Sequence, residues 1–374
     1  CIDRAIPADG CQSPECRKRG EEFLSDVMRA QVFKITTPFK ISARVLDQLE
    51  TNPRFVQISN ATRAGFFDRI SSRHKSSLEK DLEIAKSLAV SKIDEFVSDP
   101  KIREALLKKI RKIELGNLDC SEPLTENADR EELKGDPMLR EAAFFYQDKV
   151  HFCPGHLALQ NSQFSLVRVI AHEIAHSFDP CSLLTDSDYS GLFKTEGVSE
   201  SELLAQLPFA GVSQCLESKG IADTTGLHSA INLTNPLFSN WNESDIKDRL
   251  CIGTQINEAF SDWFSTETSS EAIEWAAKRG KDSTQPPANL TPIKGEKEIR
   301  AASVNSTRAI CARDMLDTWW SSNEHPNEET RINRIFLAHP KFRQTFHCES
   351  STSKDYCPPP RRTATSDSTS GGTR

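Results

Sequence analysis

The chain has 374 residues, 37% of them hydrophobic and 27% charged, a balance suited to globular structure over most of its length. Its 47 basic and 54 acidic side chains leave a net charge of -7, which argues against a nucleic-acid binder or a polybasic membrane-surface protein. No stretch approaches the roughly 20 apolar residues needed to cross a bilayer, so a soluble chain with no membrane span is expected.

In chain order, residues 11–31 read as a short cysteine loop running into a helix. Residues 74–115 carry Leu78, Leu82, Ile84, Ala85, Leu88, Ile93 and Phe96 at helical spacings, and a second helix follows Pro100 with its lysines on a solvated face. Residues 116–140 are polar and acidic, as a connecting loop would be. AFFYQDKVHFC, 143–153, predicts a short hairpin or edge strand turning at Gln-Asp-Lys. From near Ser165 a helix is expected, with Leu166, Val169, Ile170, Ile174 and Phe178 as its core stripe and Pro180 as its end. Residues 181–250 are of mixed polarity and are expected to wrap the active face. INEAFSDWFS, 256–265, reads as a buried helix. Residues 269–300 are mostly polar, and a helical pattern returns through Trp320. The tail, 358–374, is low in complexity and is expected to be disordered.

Eleven cysteines are dispersed with no CxxC pair, which disfavours zinc fingers and iron–sulfur clusters and favours disulfides in an oxidising compartment. The odd count leaves one over. Cys1 is the candidate, since bacterial lipoproteins begin at a lipid-bearing cysteine; the alternative is that position 1 has no such meaning. Cys11–Cys16 is a plausible local pair, and Cys357 is expected to join Cys215 or Cys251. Five Asn-x-Ser/Thr sequons begin at Asn60, Asn232, Asn242, Asn289 and Asn305, and matter only in a eukaryotic secreted protein.

The segment that carries chemistry is HEIAH, 172–176. Residues four apart share a helix face, so His172 and His176 converge on one ion, with distances suited to Zn²⁺, while Glu173 is placed to reach an attacking water. An isolated HExxH is only moderately specific, and two hydrogen-bonded helix histidines are the bland alternative. A third ligand decides between them. Glu258 lies 82 residues beyond His176, and Asp262, one turn further on, is placed to accept the other ring N–H of His172. Phe260 between these acids and Trp263 just after them point to a packed segment rather than a solvated acidic face.

HExxH followed by a glutamate on a second helix resembles the gluzincin metallopeptidases. NEAFSD is similar to the glutamate helix of the thermolysin family, and HEIAHSFD more closely resembles the HExxHxFD of the neprilysin family. WWSSNEHPNEETRINRIFLAHPKFRQTFHC resembles the neprilysin-family ending: His325-Pro326 precedes Arg331 by six residues, and Phe342, Phe346 and Cys348 follow. CQSPECRKRGEEFLSDVM resembles that family's opening, and AAFFYQDKVHFCPG its substrate-binding edge strand. The resemblance covers most of 140–357 and a short N-terminal piece.

The resemblance implies an α+β fold, predominantly helical: a gluzincin catalytic domain with a small edge-strand sheet and a reduced helical second region. The implied organisation is an N-terminal cysteine loop and helix (1–50), a helical region and linker (51–135), a catalytic domain (136–357) and the tail. It implies one Zn²⁺ per chain held by His172, His176 and Glu258, Glu173 as general base and acid, and Asp262 as orienter, with Asp179 a second candidate. His325 would stabilise the oxyanion, and Arg331 would bind a substrate carbonyl or brace the site. Where the family holds peptide backbone with an asparagine–alanine pair, this chain has Ala142 and Ala143, which puts peptide alignment in doubt. Val169, Trp319 and Trp320 are candidate pocket walls that core packing would explain equally well.

The expected activity is zinc-dependent endopeptidase, acting outside the cytoplasm on a peptide or protein, secreted or anchored by lipid at Cys1. The alternatives are a silent binding protein on a peptidase scaffold, and a peptidase for folded protein or cell-wall peptide, which a reduced cap would suit.

Overall fold

The computed structural model describes residues 53–118, 143–153, 156–157, 162–194, 197–222, 255–282, 287–313, 325–348, 350 and 353–360, with 53–74, 200–201 and 308–313 described as backbone only. Helix α1 (Pro53–Phe96) is the long expected helix, starting further upstream than its apolar pattern. Leu78, Leu82, Ala85, Leu88, Ile93 and Phe96 line its buried face. Asp99 then caps helix α2 (Pro100–Lys112), accepting from the backbone N–H of Lys101 and Ile102 at 2.8 and 2.9 Å, with Pro100 in the first turn.

Strand β1 (Glu114–Leu115) is too short to leave a sequence pattern and replaces the expected end of the helical run. Strands β2 (Ala143–Tyr146) and β3 (Lys149–Phe152) form the expected hairpin. Gln147 and Asp148 both take positive φ, 49° and 59°, as a tight two-residue hairpin turn requires. The order is β1-β3-β2, with β1 parallel and β2 antiparallel to β3, so β2 is an edge strand.

Helix α3 (Gln163–Ala175) begins two residues before Ser165 and is buried almost all round. It ends at His176, not at Pro180. Pro180 instead opens helix α4 (Pro180–Thr185), because Asp179 caps that helix through a 2.7 Å bond from the Ser182 N–H, and proline suits a first turn. A 3-10 turn (Ser187–Tyr189) and helices α5 (Glu200–Gln206) and α6 (Ala210–Ser218) follow.

Helix α7 (Ile256–Lys281) extends well past the expected 256–265 and absorbs the first part of the polar stretch. Its polar residues are buried, because Ser265, Thr266, Thr268, Ser269 and Ser270 donate their hydroxyls to carbonyls three or four residues back. At its end a Cβ on Gly280 would stand 1.7 Å from the Ile293 carbonyl oxygen, so only glycine admits that strand of chain. Helix α8 (Glu296–Arg313), a short helix α9 (Glu328–Thr330) running into a π-helical segment (Arg331–Phe336), and helix α10 (Pro340–Thr345) complete the described elements.

The fold is therefore mostly helical with a small three-stranded sheet. Its centre is α3, which packs against α7, α1 and α8. Phe178, Phe209, Phe260, Trp263 and Phe264 form an aromatic cluster beside it, with neighbouring centroids such as Phe178–Phe264 at 4.9 Å. Burying each such ring contributes on the order of 2–3 kcal/mol, which fixes α7 against the end of α3. Val169 belongs to this core. Cys215 bonds to Cys357, one of the two partners expected for it, and Cys153 and Cys181 are also disulfide-bonded. Cys348 is a free thiol.

The solvated lysine face expected on α2 needs correction. Lys109 is 5% exposed, with its ammonium 2.5 Å from Asp148, 2.6 Å from Asp186 and 3.1 Å from Asp188. Those carboxylates raise its pKa above the ordinary lysine value against the lowering effect of burial. The ammonium thus ties α2 to the hairpin turn and to the segment after α4. Cys1, the Cys11–Cys16 pair, Cys251, Ala142, Trp319, Trp320 and most of the tail lie outside the described residues.

Candidate metal centre

Two helices build the site. The last turn of α3 presents His172 and Glu173 and closes on His176, whose backbone is still helical. The first turn of α7 presents Glu258, and its second turn Asp262. The apolar faces that pin α3 to α7 thereby set the ligands' separation. His172 Nε2 lies 3.0 Å from Glu258 Oε2, and His176 Nε2 lies 3.5 Å from Glu258 Oε1. The donor atoms of the three residues all fall within 4.8 Å of one another.

The donor set fits a tetrahedral ion. Ligand atoms about 2.0–2.1 Å from such an ion stand roughly 3.3 Å apart, which the two measured separations bracket. Two imidazole nitrogens facing one carboxylate are the borderline and hard donors that zinc accepts, and three ligands leave one position open.

At these separations the groups shift one another's ionisation. Burial would raise the Glu258 carboxyl, yet His325 and His176 outweigh it and hold Glu258 well below the usual carboxylate range. Burial would lower His172, but the Asp262 and Glu258 carboxylates raise it above the ordinary imidazole value. His176 is raised further still, burial again being overcome, here by Glu258 and Asp179.

The surrounding residues orient the ligands. Asp179 is 4% exposed; its Oδ2 lies 3.0 Å from His176 Nδ1 while its Oδ1 caps α4. Asp262 is fully buried and pairs with His172, its Oδ1 lying 3.1 Å from Nδ1. Arg331 grips both of its oxygens, Nε to Oδ2 at 2.5 Å and Nη2 to Oδ1 at 2.9 Å. Arg331 is 5% exposed, so of the two roles expected for it the guanidinium is oriented to brace the site.

His325 is brought alongside, its Nε2 2.8 Å from Glu258 Oε2 and its ring stacked 6.4 Å from that of His172. The Gln255 side chain donates to the His325 carbonyl at 3.2 Å, tying this loop to the start of α7. Glu173 is buried and acts electrostatically on His176. Ala143 sits on the edge strand β2, opposite Phe152, in a hairpin that packs on α3.

One residue of the cluster escaped the sequence reading. Arg168, one turn before His172, is 2% exposed and donates to Asp262 Oδ1 at 3.0 Å. Its signal was available: a charged residue on the ligand face of an otherwise apolar helix needs a buried partner.

The fold and site together define a largely helical protein with a two-histidine, one-glutamate centre suited to a metal. No family model and no curated protein matches the chain. Among solved structures it is similar to a Mycobacterium tuberculosis zinc metalloprotease, Zmp1, in complex with an inhibitor. That similarity has a TM-score of 0.44 and 15% identity, covering 78% of this chain and 48% of the other, so the chain spans about half that protein's length.

Proposed function

We propose that this chain is a zinc-dependent endopeptidase of the gluzincin type, with its catalytic part within 136–357. The observation that carries the reading is the convergence of His172, His176 and Glu258 from two helices, with Glu173 beside them. Zinc bound there supplies a Lewis acid that polarises the scissile carbonyl and makes water nucleophilic near neutral pH.

The chain's own residues do the rest. Glu173 takes a proton from the attacking water and delivers it to the leaving amine. His325 donates a hydrogen bond to the oxyanion as it forms. Arg331 and Asp262 hold His172 in its orientation, and Asp179 does the same for His176. Strand β2, with Ala143 in it, offers an edge to which an extended peptide adds as a further strand. The Cys215–Cys357 disulfide supports an extracytoplasmic setting, with secretion and lipid attachment at Cys1 as its two forms.

The test is cleavage of internally quenched peptides by the oxidised, zinc-loaded protein. Glu173→Gln is expected to keep zinc and lose about 10²–10⁴-fold in turnover, the usual worth of a general base. Equal turnover by both proteins refutes the assignment of Glu173. Stoichiometric zinc with no cleavage of any peptide leaves a binding protein on this scaffold.

A further inference from the structure

We infer that Arg168 attenuates the hold of the site on its metal, by competing with His172 for Asp262 Oδ1. The inference rests on the zinc-site reading and assigns a positioning role to a residue outside the proposed ligand set.

The argument is a count of what one oxygen accepts. A carboxylate oxygen has two lone pairs in its plane. Oδ1 of Asp262 receives two guanidinium bonds, from Arg168 Nη2 at 3.0 Å and from Arg331 Nη2 at 2.9 Å. His172 Nδ1 stands 3.1 Å from the same oxygen as a third donor. Two lone pairs thus serve three donors, and the imidazole's contact is the longest of them.

The two arginines are not equivalent. Arg331 binds both oxygens, so it fixes the carboxylate's plane. Arg168 contacts Oδ1 and, lying one turn before His172 on α3, approaches from the imidazole's own helix. Its contribution is therefore to compete for charge on Oδ1 rather than to orient it.

That competition matters because His172 meets Glu258, and hence the metal position, through Nε2, which leaves the ring proton on Nδ1. A strong bond from that proton to a carboxylate makes the imidazole a better donor, and such partners change metal affinity by about 10–100-fold. With the bond weakened, the ion is held less tightly and keeps more of its Lewis acidity.

The experiment compares wild type with Arg168→Met by competition with a zinc chelator, and reads the His172 Nδ1–H proton by NMR of the zinc form. The expected result is zinc bound about ten-fold more tightly, the low end of that range, with the ring proton moved downfield. Unchanged or weaker zinc binding overturns the proposal. Tighter binding with the proton unmoved also overturns it, since removal of a nearby positive charge then suffices.

Arg168→Gln, which keeps the reach and a weaker neutral donor, is expected to shift both readouts in the same direction by less. It serves if the methionine variant does not fold. If neither folds, Arg168 is a structural brace and the proposal fails. Absence of zinc binding by wild type is a different failure, that of the zinc-site reading itself.

Discussion

Replacing Cys215 and Cys357 together by alanine should cost the fold several kcal/mol while leaving the metal ligands where they are. The bond closes a loop of 142 residues. The chain-entropy relation assigns a loop of that size about 5 kcal/mol at 25 °C. Cys153 and Cys181 are cross-linked as well, so the unfolded chain is already restrained and the expected loss falls to about 2–4 kcal/mol. The local contacts should survive in part. The Trp263 indole donates to the Cys357 carbonyl at 2.8 Å, and Lys219 donates to the Tyr356 carbonyl at 2.9 Å. Urea unfolding followed by tryptophan fluorescence measures the change, with zinc affinity determined on the same preparation. A loss below about 1 kcal/mol would refute the entropic argument. A loss of zinc binding in the folded variant would show instead that the disulfide shapes the site.

Further outcomes are expected. Lys109→Met leaves Asp188 to Lys112 and takes from Asp148 and Asp186 the ammonium they share, and should cost about 2 kcal/mol by urea midpoint, less than a fully buried pair because the carboxylates are partly exposed. Millimolar Ca²⁺ should recover part of that loss in the variant and none in wild type, where the ammonium holds the position. Glu258→Gln removes a charged ligand and should weaken zinc by more than the ~10–100-fold typical of outer partners, as read by chelator competition. Zinc affinity should climb with pH through and beyond 6.5, the ordinary histidine value, because His172 and His176 hold protons to higher pH in the ion-free protein. The same raised values stabilise the ion-free fold below pH 6.5, and that contribution disappears as pH rises through them. A flat zinc affinity between pH 6 and 8 contradicts both statements.

What could be read from the sequence follows the range of the interaction involved. The α3 face and the order of ligands on α7 were legible, because a helix repeats every few residues and Leu166, Ile170 and Ile174 report that repeat. The hairpin turn was legible from local chemistry at Gln147 and Asp148. The length of α7 was not, since Ser265–Ser270 look like loop residues until their hydroxyls are seen bonded to their own helix. The end of α3 was misread at Pro180 because proline stops one helix and starts another equally well, and Asp179 decides which. Lys109 and Arg168 were not placed, since their acceptors lie far off in sequence: 77 residues separate Lys109 from Asp186, and 94 separate Arg168 from Asp262.

The two oxygens of Asp179 face different ways, one to His176 and one to the first turn of α4. Whatever steadies the imidazole therefore also steadies that turn, and the Tyr189 hydroxyl, bonded to the Ser177 carbonyl at 2.8 Å, extends the linkage to the segment beyond. On the proposed zinc reading, metal occupancy becomes a folding signal for residues 177–189, whose amide hydrogens should exchange more slowly once the ion is bound. A newly made chain would acquire its resistance to proteolysis in this stretch at the moment it is loaded, and an unloaded copy would be the one degraded.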